Sequence, residues 1–405
     1  MSGFKPAKGR EQPGARLTIA AVGLEAEFAV ILNGQQARPE DLFGDPRDFI
    51  RVPLVHRRGT SYHLPTGGAI YFDTGVIELA TPIVEIERAC MVRAGRSLWE
   101  SLTFVREELD AWEARTGNHV QLSGFSAHYN VSADGHGADA RARLSAMARL
   151  LTFVLPAPVM LLAANRESTG VGVRPRGDRI EVTVDFTPSS SLMIAAGTLI
   201  TGIVREVSTW PTHTIEALAD RGIPVIEGFS PCKHTSRKGW LARFNCYPDN
   251  PFAANANEAR WPVRVNGRLT HWSLRRLARR VFVAFRKSIA AISDPFSFRL
   301  IRAVLSGHAP SLLDLPARPA AYEDVGRLCA WEDLFPATLV AQSRYERVLM
   351  RALAGDRLSI GGASYVPTGI KGWSQIIFTR EDDGRTIVMP FDYLLHHLEA
   401  WEHAR

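Results

Sequence analysis

Near its N-terminus the chain reads Val22-Gly23-Leu24-Glu25-Ala26-Glu27-Phe28-Ala29-Val30-Ile31, an apolar stretch interrupted by two carboxylates. This composition predicts a buried strand. Side chains two residues apart share one face of a strand, so Glu25 and Glu27 point into the same space. Either both face solvent from the polar side of an amphipathic strand, or a hard divalent cation such as Mg2+ or Mn2+ neutralises them.

Length and composition indicate a globular, enzyme-sized protein. The 405 residues allow one large domain or two of ordinary size, and the 46% apolar content is enough for a substantial core. The net charge of +6 comes mainly from arginine and favours anionic partners, among them ATP phosphates, carboxylates and nucleic acid.

The scattered cysteines and the absence of long apolar runs predict a cytoplasmic location. Cys90, Cys232, Cys246 and Cys329 form no C-x-x-C pair, so we expect a reduced protein without disulfides. Residues 1–16 lack the apolar core of a signal peptide and are expected to form a flexible tail. No apolar run approaches the roughly 20 residues of a membrane span, so we expect no membrane partner.

A second segment places one carboxylate inside an apolar run. Residues 69–82 read AIYFDTGVIELATP, which predicts two strands joined by a turn at Asp-Thr-Gly. Glu78 interrupts the second strand, and a lone glutamate in such surroundings is costly to leave unpaired. Glu78 is therefore a candidate cation ligand. Residues 85–116 follow as a predicted long helix.

Two further strands carry polar residues on one face. Residues 120–132 read VQLSGFSAHYNVS, and alternation places His128, Asn130 and Ser132 together. Such a set can bind a metal and phosphate oxygens, although an isolated histidine is more often structural. Residues 179–188 read RIEVTVDFTP, with Arg179 and Glu181 on the polar face, which by itself is the pattern of an ordinary half-exposed strand.

The four segments, in this order, resemble the glutamate-cysteine ligase branch of the glutamine synthetase-like carboxylate-amine ligases. The matching patterns are Gly-x-Glu-x-Glu, Ile-Glu-x-Ala-Thr-Pro, Ser-Gly-x-x-x-His-Tyr-Asn-x-Ser and Arg-Ile-Glu-Val, within residues 17–190. The resemblance implies an α+β fold, in which a curved antiparallel sheet forms an active-site funnel and helices pack on its convex face. It also implies activation of a carboxylate by ATP and its capture by an amine.

The resemblance further implies two or three Mg2+ ions and a role for each matched residue. Glu25, His128 and Glu181 match the ligands of the cation between the ATP phosphates, and Glu27 and Glu78 match those of the cation nearer the acceptor carboxylate. Asn130 and Ser132 match nucleotide contacts. Arg166, in residues 165–168 (NRES), matches the arginine that steadies the transferred phosphoryl group.

One residue departs from the family pattern. Relatives carry arginine two residues after the last metal-binding glutamate, and here that residue is Thr183. A neutral hydroxyl cannot balance the charge of an acyl phosphate as a guanidinium can. Arg174, Arg176 or Arg179 are candidate replacements, with Arg179 as the second predicted catalytic cation. Otherwise the substrate differs from glutamate, or the chain binds nucleotide without turnover.

Beyond residue 190 the resemblance fades. A basic loop with Lys233 and Arg237 is either a solvated surface or a lid over ATP. We expect a catalytic domain over residues 17–307. Residues 308–405 are expected to form a helical region with one β-hairpin, packed on that domain.

The sequence thus predicts an ATP- and Mg2+-dependent ligase (Mn2+ being an alternative metal) acting on small carboxylate and amine substrates, with homo-oligomerisation left open. A phosphotransferase of the same fold and an inactive nucleotide-binding relative are the alternatives. A nucleic-acid-binding protein, suggested only by the basic charge, is disfavoured.

Overall fold

The computed structural model describes residues 19–133, 139–234, 238–265, 267–329 and 342–403. The strands are β1 (Ala21–Leu32), β2 (Gln35–Ala37), β3 (Val55–Arg58), β4 (Ser61–His63), β5 (Ala69–Asp73), β6 (Val76–Ala80), β7 (Val84–Glu85), β8 (Val120–Ser132), β9 (Gly170–Arg176), β10 (Arg179–Asp185), β11 (Cys232–Lys233), β12 (Trp240–Arg243), β13 (Trp261–Val265), β14 (Arg268–Trp272), β15 (Leu358–Ile360), β16 (Ala363–Lys371), β17 (Gln375–Arg380) and β18 (Thr386–Pro390). The helices are α1 (Pro39–Phe43), α2 (Cys90–Thr116), α3 (Ala140–Val154), α4 (Pro156–Ala163), α5 (Ser190–Ser208), α6 (Glu216–Ala219), α7 (Leu274–Ala284), α8 (Arg286–Ile292), α9 (Pro295–Leu305), α10 (Arg344–Leu353), α11 (Phe391–Leu395) and α12 (Leu398–His403).

A large antiparallel sheet organises the molecule. Its strands run in the order β11-β12-β9-β10-β8-β1-β6-β5-β4-β3, with β2 and β7 paired to β1. The long strand β1 lies at the centre, with β6 and β8 on its two sides. This agrees with the predicted α+β class and with a sheet of antiparallel strands.

One face of the sheet packs against helices. Along β1 the side chains of Leu24, Ala26 and Phe28 are buried, while Glu25 and Glu27 alternate with them on the opposite face. Helix α2 contacts β1 and β6, α3 and α4 contact β9 and β10, and α5 contacts β8. Because the apolar face lies under the helices, the polar face remains for a cavity.

Helix α5 is apolar and mostly buried. Among the described helices it alone has the length and hydropathy of a membrane span, and 78% of its most apolar stretch is buried inside the protein. Helices α3 and α4 reach that length and hydropathy only when they are joined, and they are bent by 62° at their junction. Such burial is typical of a core helix.

The C-terminal part contains more strands than the sequence predicted. Instead of one hairpin, β15 to β18 form a four-stranded antiparallel sheet. The predicted hairpin does contain the β17–β18 turn, but short β15 and the β16–β17 turn at Gly372 were missed because their sequences are brief and mixed in polarity.

A second hydrophobic core holds this C-terminal sheet and its helices together. It contains Tyr345, Phe378 and Trp401 and is joined to the large sheet through Ala21. The first core continues through Tyr322 to Cys329, beyond the predicted boundary at residue 307. Residues 308–329 therefore pack with the large sheet, because Leu312, Leu313 and Tyr322 join its core.

Candidate functional site

Strand register brings the predicted carboxylates together across four adjacent strands, β6, β1, β8 and β10. On one side of β1, Glu27 lies opposite Glu78 of β6. On the other side, Glu25 lies opposite His128 of β8. The next strand, β10, places Glu181 opposite Asn130. Directly paired residues share a face, so these side chains meet on the polar side of the sheet.

Two overlapping groups in this set could hold cations. One consists of Glu25, His128 and Glu181, and the other of Glu27, Glu78 and His128. In each group one ligand atom per residue lies within 4.8 Å of the others. The structure thus brings together all five predicted metal ligands, with His128 common to both groups. Their role as ligands stays a prediction.

His128 lies between two carboxylates. Its Nδ1 is 3.4 Å from Oε2 of Glu25, and its Nε2 is 3.5 Å from Oε1 of Glu27. Burial favours the neutral ring, but the surrounding carboxylates raise the pKa of His128 to about 9. Burial likewise opposes ionisation of Glu25, yet His128 and Arg179 lower the pKa of that carboxyl to about 2. An imidazolium therefore holds the pair in place without a metal.

Glu78 and Glu27 are held by hydroxyl groups. Tyr71 of β5 donates a short hydrogen bond to Oε1 of Glu78. Ser126 donates to Oε2 of Glu27 at 2.5 Å. Burial, together with the charge of Glu25, raises the pKa of Glu78 to about 8. At neutral pH the metal-free protein therefore keeps most of its Glu78 protonated.

The donors fit a hard divalent cation. Carboxylate oxygens with one imidazole nitrogen suit Mg2+ or Mn2+. Oε2 of Glu181 is buried and accepts no hydrogen bond from the described part of the chain, although it forms an ion pair with Arg176. A cation beside Glu78 would also favour ionisation of that carboxyl, which burial opposes.

Glu181 is neutralised by two arginines of the neighbouring strand. It is fully buried, and Arg174, directly opposite it on β9, donates a short hydrogen bond to Oε1. Nε of Arg176 lies 3.0 Å from Oε2. A buried carboxylate without such partners would cost several kcal/mol.

Asn130 is hydrogen-bonded to both Glu25 and Arg179, whereas Ser132 is hydrogen-bonded to the backbone. Asn130 donates to Oε2 of Glu25 at 3.1 Å and accepts from Nε of Arg179 at 2.8 Å. Ser132 accepts from the backbone N–H of Ala21 at 2.8 Å, so its hydroxyl already has a structural partner. Arg179 thus stands near the cluster through Asn130.

The other predicted contacts lie elsewhere. Arg166 donates to the carbonyls of Ala253, at 2.7 Å, and of Phe252, Ala254 and Leu315. These bonds brace loops, and the guanidinium does not line the cavity described below. Lys233 is exposed and stacks on Trp240, with Nζ 4.3 Å from the ring centroid. Arg237 lies outside the described residues.

A cavity of about 690 Å³ opens over the cluster. Its walls include Glu25, Glu27, Glu78 and His128, and on one side Arg174, Arg176 and Thr183. Thr183 lies opposite His128 on one neighbouring strand and opposite Gly172 on the other. The two arginines of β9 thus stand on the same side of the cavity as Thr183.

Sequence reasoning missed Arg57. This residue of β3 donates to Ser61 Oγ at 3.2 Å, and its guanidinium carbon lies 4.5 Å from the ring centroid of Trp373. Burial lowers the pKa of Arg57, and the nearby Tyr71, Glu25 and Glu78 oppose this shift only in part. Arg57 thus places a positive charge on the side of the carboxylate cluster where Glu78 lies. No local signal marked it, because Trp373 comes from the distant C-terminal sheet.

No protein-family model matches the chain, and no curated protein is similar to it in sequence. Among solved structures, the chain is similar to one described as the crystal structure of the complex between Prokaryotic Ubiquitin-like Protein Pup and its Ligase PafA. The TM-score is 0.49 with 10% sequence identity, over 96% of this chain and 92% of that chain.

Proposed function

We propose that the protein is an ATP- and Mg2+-dependent ligase that joins the carboxylate of an amino acid or another small acid to an amine. The observation that supports the proposal is the pair of residue groups that could hold cations, which share His128 and have Glu25, Glu27, Glu78 and His128 in the wall of one cavity. Two adjacent cations are suited to clamp a triphosphate and a second oxygen donor side by side. The sequence resemblance to the glutamate-cysteine ligase branch supports the same reaction class.

The residues divide the cavity into two sides. Glu25, His128 and Glu181 would hold the cation of the nucleotide, on the side of Arg174 and Arg176. Glu27 and Glu78 would hold the cation of the acceptor carboxylate. When bound, Mg2+ offsets the negative charge of the phosphates and of that carboxylate.

The reaction has two steps. A carboxylate oxygen attacks the γ-phosphorus of ATP, the bond to the bridging oxygen of the β-phosphate breaks, and ADP leaves. The amine nitrogen then attacks the carbonyl carbon of the acyl phosphate, phosphate leaves with the oxygen that joined it, and the nitrogen loses a proton. Arg174 and Arg176 can balance charge on the transferred phosphoryl group.

A nucleic-acid ligand stays the disfavoured alternative. Phosphate backbones bind to basic surfaces, whereas the walls of this cavity mix the carboxylates of Glu25, Glu27 and Asp185 with the guanidinium groups of Arg174 and Arg176. The scattered cysteines lead us to propose further that the ligase works in the reducing cytoplasm.

The test is ADP release from ATP and Mg2+ across amino acids and small acids, with hydroxylamine present to trap an acyl phosphate as a hydroxamate. A ligase gives hydroxamate with hydroxylamine and an amide with the natural amine. A phosphotransferase releases ADP without any amine and forms no amide, although its acyl phosphate would also be trapped by hydroxylamine if its acceptor is a carboxylate; amide formation therefore decides between the two. An inactive relative binds ATP without releasing ADP. Glu107→Gln, an exposed change on α2, is the control.

A further inference from the structure

The arginine pair at Glu181 stands where a cation would also need that carboxylate. Arg174 donates a hydrogen bond to Oε1 of Glu181, and Arg176 forms an ion pair with Oε2. The same carboxylate lies within 4.8 Å of ligand atoms of Glu25 and His128. A divalent cation held by these three residues would therefore sit close to two guanidinium groups.

Such an arrangement makes the arginines and the cation competitors. Like charges held this close in a partly buried site repel, because little solvent screens them from each other. The repulsion falls if the guanidiniums turn away from Glu181 or if an anion joins them. The metal-free protein needs the arginines, because otherwise Glu181 would be a buried, uncompensated charge.

The two side chains are placed to make this exchange. Both line the cavity, and the exposed fraction of the side chain is 14% for Arg174 and 44% for Arg176. They alternate on β9, so both face the cavity side of the sheet. A guanidinium released from a carboxylate can form equivalent bidentate bonds with a phosphate.

We propose that Arg174 and Arg176 neutralise Glu181 in place of the nucleotide's cation. When that cation binds Glu181, the two guanidinium groups leave the carboxylate and bind the phosphates of the nucleotide instead. The inference rests on the proposed function and adds a binding order to it. The cation at Glu25, His128 and Glu181 binds poorly alone and enters together with the triphosphate. By linkage, cation and nucleotide raise each other's affinity by the same factor.

The first test uses the unmodified full-length protein. Electron paramagnetic resonance titration with Mn2+ counts bound ions and measures their affinities without and with a non-hydrolysable ATP analogue. We expect the Glu25–His128–Glu181 ion to bind at least tenfold more tightly with the analogue, beyond the binding of Mn2+ by the analogue itself. Equal affinity in both conditions overturns the proposal.

Arginine variants give effects of opposite sign. Arg174→Gln should tighten Mn2+ binding without nucleotide by about tenfold, because one repelling charge is gone. It should weaken binding of the ATP analogue by about tenfold or more, the usual effect of losing one charge-assisted bond. Arg174→Lys keeps the charge, so its metal affinity should stay close to that of the wild type.

Arg243→Gln is the matched control. Arg243 lines the same cavity on β12 but lies opposite Gly170 rather than beside Glu181. If it tightens Mn2+ binding as much as Arg174→Gln does, the effect is one of general charge and the exchange is refuted. Should Arg174→Gln fail to fold, the wild-type titration decides alone.

Failure of the exchange differs from failure of the proposed function. If the wild-type protein binds neither Mn2+ nor the analogue, the proposed function falls and the exchange with it. If the analogue binds and ADP is released while the arginine variants leave Mn2+ affinity unchanged, only the exchange is wrong.

Discussion

Glu78→Gln tests whether the cluster of carboxylates destabilises the folded protein when no cation is bound. Glu78 is buried, and its pKa rises from an ordinary 4.5 to about 8. Between these values the unfolded chain has released the proton that the folded protein keeps. Stability therefore falls as the pH rises from about 4.5 to about 8 and stays low above that.

The size of the effect follows from the same numbers. A rise in the pKa of Glu78 from 4.5 to about 8 corresponds to a loss of about 5 kcal/mol in the free energy of unfolding at a pH above both values. Rearrangement of the neighbouring charged side chains reduces this loss, and we expect it to be about 2 kcal/mol. Glutamine carries no charge and still offers an oxygen to the Tyr71 hydroxyl, so the variant gains this amount at about pH 9.

The assay is urea unfolding in EDTA at about pH 5 and about pH 9, repeated at the higher pH with Mg2+. Wild-type protein should lose stability with pH and recover it with Mg2+, by about 3 kcal/mol at a hundred times the dissociation constant. Glu78→Gln should show a smaller pH dependence and little response to Mg2+. The exposed change Glu107→Gln should follow wild type. The reasoning is refuted if Glu78→Gln is less stable than wild type at about pH 9.

Three further predictions concern single residues. Glu27→Gln should abolish ATP turnover while leaving circular dichroism and unfolding unchanged or improved, and full activity would remove Glu27 from the site. The resemblance matched Arg166 to the arginine at the transferred phosphoryl group, and loss of such a group lowers turnover by about 100-fold or more. Its bonds to loop carbonyls lead us instead to expect that Arg166→Ala lowers the free energy of unfolding by about 1–3 kcal/mol and turnover by less than about tenfold. Phosphate release per folded molecule decides between the two. Burial and Arg57 lower the pKa of His63 from 6.5 to about 3. Between these two pH values the unfolded chain binds a proton at His63 and the folded protein does not, so stability is lost as the pH falls through that range. His63→Gln should flatten this acid limb of melting temperature against pH, and an unchanged slope would show that other groups cause it.

Local patterns were enough to place side chains on strand faces. Alternation in residues 22–31 put Glu25 and Glu27 on one side, and the structure keeps them there. The same rule grouped His128 with Asn130 and Arg179 with Glu181. Alternation depends only on the geometry of an extended chain, so a single sequence reveals it.

Register and long-range packing were decided only by the tertiary structure. That Glu27 faces Glu78, and that Arg174 covers Glu181, depends on which strands are neighbours and how far each is shifted. The position of Arg166 against loop carbonyls and the cover of Trp373 over Arg57 depend on segments far apart in the chain. The sequence by itself determined which residues could face a common cavity. Strand pairing then determined which of them meet, because pairing is set by the packing of the whole core and not by any local pattern.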